Sequence, residues 1–266
     1  MLKKVTSANA DDLRTLLDER GLLNPYFSID FETYGYDGED VDAWLVHQDG
    51  ANLQAALYRY YRSIQFLRFG AFDVSDAKEV AGFIERNRIK MISGDAESLR
   101  LVSSYVSCEN VVTEGALMRL EELPDKLDDR SEIATLEDLN AAAALICTDE
   151  EIGGHYTVDE LTAQLVERQE SHGCHSRVLF REGVLLCHMA TYASGKDVAV
   201  LGGLVTAKSA RGQGLGKRIL GALATDVMRE GKTPMLYCYK RRLISWYEML
   251  GWSVVLNCAK MEIFYR

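Results

Sequence analysis

The chain has 266 residues, of which 47% are hydrophobic and 26% are charged, and its formal net charge is −10. This composition is typical of a folded globular protein, excludes a disordered or fibrous one, and offers no basic excess for a nucleic-acid partner. Because no apolar run reaches the about 18 residues of a membrane-spanning helix and no secretory signal opens the sequence, we expect a cytoplasmic protein without a membrane partner.

The first half of the sequence alternates between strand and helix patterns. Strands are predicted at 3–6, 43–47, 53–69, 89–93, 110–113 and 116–121, and helices at 11–19, 75–87 and 97–106. A polar, charged segment that contains Pro124 separates this half from the next, as connections between domains do. We therefore predict two domains, residues 1–125 and residues 126–266.

The second half opens with a short strand at 132–134 and a helix that Thr135 would cap. The apolar stripe predicted for that helix comprises Leu136, Leu139, Ala143 and Ile146. A helix at 158–169, a hairpin of strands at 177–180 and 184–192, and a strand at 198–206 follow.

A glycine-rich segment comes next, and after it apolar residues recur every four positions on one helix face. These residues are Leu215, Ile219, Leu223 and Val227, and Gly231 would end the helix. A strand at 235–239, a helix at 243–250 and strands at 252–256 and 261–265 complete the chain. The order predicts an α/β fold, an α+β mixed sheet with helices packed on it. The similar order of the first half suggests two copies of one fold, the first of them degenerate.

The glycine-rich segment, residues 211–217, lies between a predicted strand and a predicted helix. Glycines let backbone N–H groups turn toward an anion, and the helix N-terminus adds partial positive charge, so the segment could cradle a pyrophosphate. A Walker A loop is excluded because Arg218 stands where Ser or Thr is required. A dinucleotide loop is excluded because Lys217 or Ile219 stands where its third glycine is required. A flexible turn before a helix is the alternative without a ligand.

The remaining pattern, Arg/Gln-x-x-Gly-x-Gly, resembles the acetyl-CoA loop of the GNAT superfamily of N-acetyltransferases. The resemblance covers residues 132–266 and is most specific over 205–220. It implies the acyl-CoA N-acyltransferase fold in two tandem GNAT-like domains, with acetyl-CoA as co-substrate and no metal. It also implies that a strand end holds the pantetheine and acetyl group while the loop holds the pyrophosphate. The implied contacts are Leu204, Val205 and Thr206 on the strand, and Arg211, Gly212, Gln213, Gly214, Leu215, Gly216 and Lys217 on the loop.

A downstream motif at 245–252 resembles the second GNAT signature, Tyr-x-x-Leu-Gly-aromatic. The resemblance implies that Tyr247 protonates the departing CoA thiolate, and a phenol suits this because its pKa of about 10 is close to that of a thiol. Packing in the core is the alternative. Seven positions earlier, Lys240 stands where the family usually has an asparagine. Lys240, Arg241 and Arg242 would contact the 3′-phosphate or adenine side of the cofactor. The alternative is that they lie in solvent at the start of a helix.

The amine acceptor must lose a proton, so the site needs a base. The catalytic candidates are Glu151 and His188, and further candidates are Glu150, His155 and Asp197. A strand histidine such as His188 can equally be a packed polar residue. A zinc site at 172–175 is not predicted, because no partner cluster supplies the remaining ligands.

We therefore predict direct transfer of acetyl from acetyl-CoA to a primary amine of a small molecule or peptide. One alternative is a non-catalytic acyl-CoA-binding regulatory protein. Another is an acyltransferase that uses a longer acyl group or a hydroxyl acceptor. The first half has no glycine loop at 69–75, so we expect it to bind no CoA and to wall the substrate cleft or mediate dimerisation. A homodimer is left open.

Overall fold

The computed structural model describes residues 2–48, 52–122, 130–150, 152–154 and 156–266. The chain divides into two compact units. Unit 1 contains Met1–Met118, Cys238–Ser245 and Val254–Arg266, and unit 2 contains Arg119–Tyr237 and Trp246–Ser253. Residues 254–266, which the sequence pattern groups with the second domain, therefore lie in unit 1. The assignment of a degenerate first domain and a catalytic second one stays a prediction.

Within these residues the chain passes through twelve strands and eight α-helices. In chain order they are β1 (Leu2–Lys4), α1 (Ala10–Arg20), α2 (Pro25–Tyr34), β2 (Val41–Gln48), β3 (Asn52–Tyr60), β4 (Ser63–Arg68), α3 (Val74–Arg86), β5 (Met91–Asp95), α4 (Ala96–Ser103), β6 (Glu109–Leu120), β7 (Glu132–Ile133), α5 (Asp138–Cys147), α6 (Val158–Ser171), β8 (Ser176–Arg181), β9 (Val184–Ser194), β10 (Val198–Thr206), α7 (Leu215–Arg229), β11 (Thr233–Cys238), α8 (Arg241–Glu248) and β12 (Trp252–Phe264).

Unit 1 is built on a mixed sheet with strand order β1-β2-β3-β4-β5-β12-β6. The β4–β5 pair is parallel, and the β1–β2, β2–β3, β3–β4 and β5–β12 pairs are antiparallel. Successive residues of a strand face opposite sides of the sheet, so Leu57 joins the apolar cluster that contains α3 and α4 residues. Its neighbour Tyr58 joins the cluster that contains α1 and α2 residues. The unit is thus a sheet with helices on both faces.

Unit 2 is built on strands in the order β11-β10-β9-β8-β7. The β10–β11 pair is parallel and the other pairs are antiparallel. Helices α5 and α6 cover one face with a buried cluster that includes Leu139, Leu165 and Val178. Helix α7 packs on β8, β9 and β10 through its buried residues. These include the four predicted ones, Leu215, Ile219, Leu223 and Val227.

The predicted fold class, a mixed α/β sheet with packed helices, is confirmed. Strand β10 has the predicted bounds, and β8 and β9 form the predicted hairpin, with a tight turn at Glu182 and Gly183, which both have positive φ. No helix in the described part of the chain combines the length and apolar character needed to cross a bilayer.

Four local predictions were wrong. The strands predicted at 252–256 and 261–265 are one strand, and so are those at 110–113 and 116–121. The single run at 53–69 is two strands, because the chain turns at Tyr61 with φ 53°. Leu136 is exposed rather than part of a stripe, since α5 begins only at Asp138, whose carboxylate accepts from the N–H and hydroxyl of Thr135.

Candidate cofactor and acceptor site

The parallel pairing of β10 with β11 stops before β10 ends. The register runs from Val198 opposite Thr233 to Leu201 opposite Leu236. Strand β10 continues to Thr206, where it pairs only with β9 in the described register. Residues 202–206 therefore present one backbone edge to a notch rather than to another strand. Such an edge can pair with the amides of an extended ligand.

A bulge interrupts β10 beside this notch. The register with β9 shifts between Gly202 and Val205, and Gly203 has a φ of +64°. A Cβ on Gly202 would lie 3.0 Å from the Tyr192 ring, and a Cβ on Gly203 would lie 2.3 Å from the Tyr192 hydroxyl oxygen. A side chain at either position would require the Tyr192 ring to move, and at Gly203 the positive φ also favours glycine.

The glycine loop after β10 leads into α7 without a side-chain cap. Gly212 and Gly214 have φ values of +79° and +75°, and a Cβ on either would meet only open space. Gly214 is the residue before the first helical turn, and no side chain hydrogen-bonds to the N-terminus of α7 from the residues that the structure describes. Among the described residues, no side chain therefore occupies the N–H groups of Leu215, Gly216 and Lys217 at the start of this 15-residue helix, and such groups can bind an anion.

Two side chains fix the loop to its surroundings. The Nε of Arg211 donates to the Thr206 carbonyl at 3.1 Å, and its guanidinium lies 3.9 Å from the Asp149 carboxylate. The Gln213 amide oxygen accepts from Arg181 at 3.2 Å. These contacts hold the loop next to the end of β10.

The predicted strand contacts Leu204, Val205 and Thr206 point in alternating directions. A Cβ on Gly216, in the first turn of α7, would lie 3.7 Å from the Thr206 hydroxyl and 3.8 Å from Leu204. Val205 instead belongs to the buried cluster beneath α5 and α6. Val205 can therefore offer a ligand only its backbone.

His188, a predicted base, is fully buried on β9 opposite Val205. Its Nδ1 lies 3.2 Å from the Gly203 carbonyl oxygen, which assigns the proton to Nδ1 and leaves the lone pair on Nε2. Nε2 has no hydrogen-bond partner among the described residues. Burial lowers the pKa of His188 to about 4, against a smaller raising effect of the Gly203 carbonyl. The imidazole is therefore neutral at ordinary pH.

Two residues at the β10 bulge were not predicted. The Tyr192 ring lies across Gly202 and Gly203, and the Arg168 guanidinium carbon lies 4.7 Å from the ring centroid. Arg168 donates to Gln164 at 3.4 Å and forms no ion pair within the described ranges. The glycine pair inside a strand was the available signal, since such glycines mark a bulge or a close approach.

Tyr247 lies in the last turn of α8 and is 7% exposed. Its ring contacts those of Trp246 and Trp252 at centroid distances of 4.9 and 6.0 Å. Gly251, with φ +88°, follows the helix as predicted. The catalytic role of Tyr247 stays a prediction.

The structure says less about the other candidate bases. Glu151 and His155 lie outside the described residues, and Glu150 and Asp197 are exposed. In the segment 172–175, His175 makes a 2.6 Å contact with Glu230. The described residues contain no cluster of three or more His, Cys, Asp or Glu side chains that could hold a metal ion.

Comparisons with known proteins point to one superfamily. The FR47-like protein family matches residues 179–260. A GNAT-family acetyltransferase from Colwellia psychrerythraea is 16% identical, with a TM-score of 0.57, and the match covers 99% of this chain and 100% of that one. A GCN5-related N-acetyltransferase from Kribbella flavida is 14% identical, with a TM-score of 0.60 over 80% of this chain and 87% of that one.

A tandem GNAT protein from the clavulanic acid biosynthesis pathway is 13% identical, with a TM-score of 0.54 over the full length of both chains. No curated protein sequence shows a significant match. At these identities the solved structures establish the fold. Together with the family match, they confirm the resemblance to the GNAT superfamily: the chain has the acyl-CoA N-acyltransferase fold of that superfamily.

Proposed function

We propose that the chain is an acetyl-CoA-dependent N-acetyltransferase that acts in the cytoplasm on a primary amine of a small molecule or peptide. The observation that carries the proposal is the continuity of two features in unit 2. The unpaired edge of β10 at 202–206 leads through the glycine loop directly to the uncapped N-terminus of α7. An extended amide-containing arm with a pyrophosphate at its end complements that arrangement.

In this proposal the backbone of Leu204, Val205 and Thr206 pairs with the pantetheine amides. The N–H groups of the loop and of the first turn of α7 bind the pyrophosphate, and Arg211 and Lys217 add positive charge. The N–H of a residue at the β10 bulge polarises the thioester carbonyl, as an oxyanion-hole donor does. The co-substrate supplies the activated acyl group, and no metal is required for the transfer.

The reaction needs two proton movements. The amine nitrogen attacks the thioester carbon, the C–S bond breaks, and one N–H proton leaves the nitrogen while the CoA sulfur gains one. With a pKa of about 4, His188 is a neutral but weak base. It can accept the proton only after the C–N bond has begun to form, when the nitrogen becomes more acidic. Glu151 is the other candidate base, and Tyr247 is the candidate donor to sulfur.

The acceptor enters on the α5–α6 side of β10 in this proposal. His188 is opposite Val205 and Val178, which both belong to the cluster under those helices. Tyr192 and Arg168 line the same bulge. In the proposal, the amine approaches the thioester carbonyl at this bulge.

The test is an acetyl-transfer assay with the purified chain and a panel of primary amines. We expect release of CoA thiol and a gain of about 42 Da in one class of amine, the mass of an acetyl group in place of hydrogen. Binding of acetyl-CoA without thiol release for any amine would favour the alternative, a non-catalytic regulatory protein. Longer acyl-CoA donors and alcohol acceptors in the same assay test the remaining alternative.

A further inference from the structure

Unit 1 contains its own cavity, at the place where β4 and β5 separate. Their parallel register ends at Gln65 opposite Ser93, and a cavity of about 380 Å³ lies beyond this point. The half-buried residues Leu23, Phe69 and Leu256 form an apolar part of its wall. The volume lies near the lower end of the range of about 300–1,000 Å³ that is usual for small-molecule sites. The cavity therefore has room for a compact ligand with an apolar body.

A guanidinium without a carboxylate partner lines this cavity. The Nη1 of Arg20 donates to the Phe69 carbonyl at 2.9 Å, which holds the guanidinium beside the apolar wall. Among the described residues, no carboxylate forms an ion pair with Arg20, which is an exposed residue. Its other N–H groups can therefore donate to a ligand, and a planar guanidinium matches the geometry of a carboxylate.

Arg68, the last residue of β4, brings a second guanidinium to the same cavity. Its Nη1 donates to the Glu97 carboxylate at 3.0 Å, and its Nη2 lies 3.7 Å from the Oδ1 of Asp95. The Glu97 side chain is 75% exposed and is not part of the wall of this cavity. Because solvent weakens an ion pair so exposed, a ligand carboxylate can replace Glu97 as the partner of Arg68.

The Asp95 carboxylate does not offset these two arginines at the cavity surface. Asp95 is only 6% exposed, and its Oδ1 accepts from the Ser98 N–H at 2.9 Å to cap α4. Its Oδ2 is buried without a hydrogen-bond partner among the residues the structure describes, so a ligand in the cavity does not meet it. The cavity thus presents positive charge and an apolar wall, in a chain whose formal net charge is −10.

We propose that this cavity binds a small carboxylic acid with an apolar body, in its ionised form. The ligand carboxylate accepts from Arg20 and Arg68, and its hydrocarbon part lies against Leu23, Phe69 and Leu256. An uncharged ligand of the same shape would lose the charge-assisted hydrogen bonds, and an amine would be repelled by both guanidinium groups. All of these residues belong to unit 1, so the site is separate from the proposed acetyl-CoA notch and does not depend on acetyl transfer.

The first experiment is calorimetric titration of the full chain with 3-phenylpropionate, its uncharged amide, phenethylamine and hexanoate. We expect both acids to bind, and 3-phenylpropionate to bind at least about 10-fold more tightly than its amide or the amine, since hydrogen bonds to a charged group are lost in those two. Saturating acetyl-CoA should leave the affinity for the acid unchanged. Equal affinity for acid and amide, no binding of either acid, or competition with acetyl-CoA would overturn the proposal.

Two variants then locate the site. Arg20→Gln changes an exposed residue, so it should leave the fold intact and lower the affinity for 3-phenylpropionate at least about 10-fold. Arg68→Gln should give a loss of similar size. Arg14→Gln is the matched control, because Arg14 is exposed on the same helix as Arg20 but does not line the cavity, and it should bind as the wild type does. Wild-type affinity in both Arg20→Gln and Arg68→Gln, or an equal loss in Arg14→Gln, would refute the assignment.

Discussion

Each unit contains a pair of parallel strands that separate, β4 and β5 in unit 1 and β10 and β11 in unit 2. The two units differ at the start of the helix that follows the first strand of the pair, α3 in unit 1 and α7 in unit 2. In unit 2, β10 is followed by a loop with glycines at positive φ and by α7, whose N-terminus no described side chain caps. In unit 1, β4 is followed by a short loop and by α3, which carries a full capping box. The Asp73 carboxylate accepts from the N–H groups of Ser75 and Asp76, and Asp76 accepts from the N–H of Asp73.

In the proposed function, this difference determines which helix binds the pyrophosphate. The first N–H groups of α3 already have partners, and two carboxylates occupy the space where a phosphate would lie. Among the residues that the structure describes, no side chain caps the start of α7, and the loop before it has no Cβ atoms at Gly212 and Gly214. In the proposed function, the residues at a single helix start therefore decide whether a strand–helix frame holds a pyrophosphate or rejects it. The helices after β5 and β11 differ as well, since α8 carries Tyr247 and α4 carries no tyrosine.

The largest expected effect comes from placing a carboxylate at the start of α7, as the start of α3 has. Gly214→Glu places a carboxylate where the pyrophosphate is proposed to bind, so acetyl-CoA affinity should fall at least about 100-fold by calorimetry. Gly183→Glu introduces the same side chain at another open glycine with positive φ, in the β8–β9 turn. That control should bind acetyl-CoA normally, and equal affinity in both variants would contradict the loop assignment.

Tyr247→Phe tests the second difference between the units. If the phenol protonates the CoA thiolate, kcat should fall by about 10²-fold while the KM for acetyl-CoA changes little, because the ring and its packing remain. The loss should shrink for a thioester whose leaving thiol is more acidic. Near-normal kcat would assign Tyr247 to core packing between Trp246 and Trp252.

The pH dependence of stability tests the environment of His188. Its pKa is about 4 in the folded chain, against an ordinary value of 6.5. As the pH falls from 6.5 through 4, the unfolded chain takes up a proton that the folded chain does not. The free energy of unfolding should therefore fall by up to about 3 kcal/mol from this residue, and its contribution is fully present only above a pH of about 6.5. In denaturant titrations between about pH 4 and pH 7, the free energy of unfolding should fall more steeply with decreasing pH in the wild type than in His188→Gln. Parallel curves would mean that His188 is accessible to water.

The smallest effect concerns the capped helix. Asp73→Ala removes the capping box of α3 and should lower the free energy of unfolding by about 1 kcal/mol. Asp11 is an exposed residue in the first turn of α1, and Asp11→Ala should change the free energy of unfolding less. The variant should still bind one acetyl-CoA per chain, because freeing α3 does not supply a glycine loop. A stoichiometry of two, in the variant or in the wild type, would contradict the prediction that unit 1 has no CoA site.

Much of unit 2 could be predicted because its signals are local. The periodic face of α7, the turn residues at Glu182 and Gly183, and the spacing of the glycine loop all lie within short windows. Helix α2 was missed, although Asn24 and Pro25 provide a cap and a first-turn proline. Strand β12 was divided because polar residues interrupt it, while the alternation of Ala259 and Met261 into the core continues across them.

The residues beside the proposed acceptor site could not be predicted from the sequence in the same way. Arg168 and Tyr192 are distant in sequence and meet only because α6 packs beside the β10 bulge, and the bulge depends on the register of neighbouring strands. The orphaned Oδ2 of Asp95 is likewise a property of packing, since its sequence context shows only an ordinary helix cap. Sequence patterns identify such residues as candidates, but burial decides which of them is left without a partner.

The position of β12 has a consequence for how the protein is made. Cys258 to Glu262 pair with β5, and Ala259, Met261 and Ile263 complete the core of unit 1. A ribosome must therefore synthesise the whole of unit 2 before it delivers the strand that closes the first unit. Until then the nascent residues 1–118 expose a bare strand edge and an open apolar surface, the features that attract chaperones and promote aggregation. The unit that is begun first is thus the last to be finished.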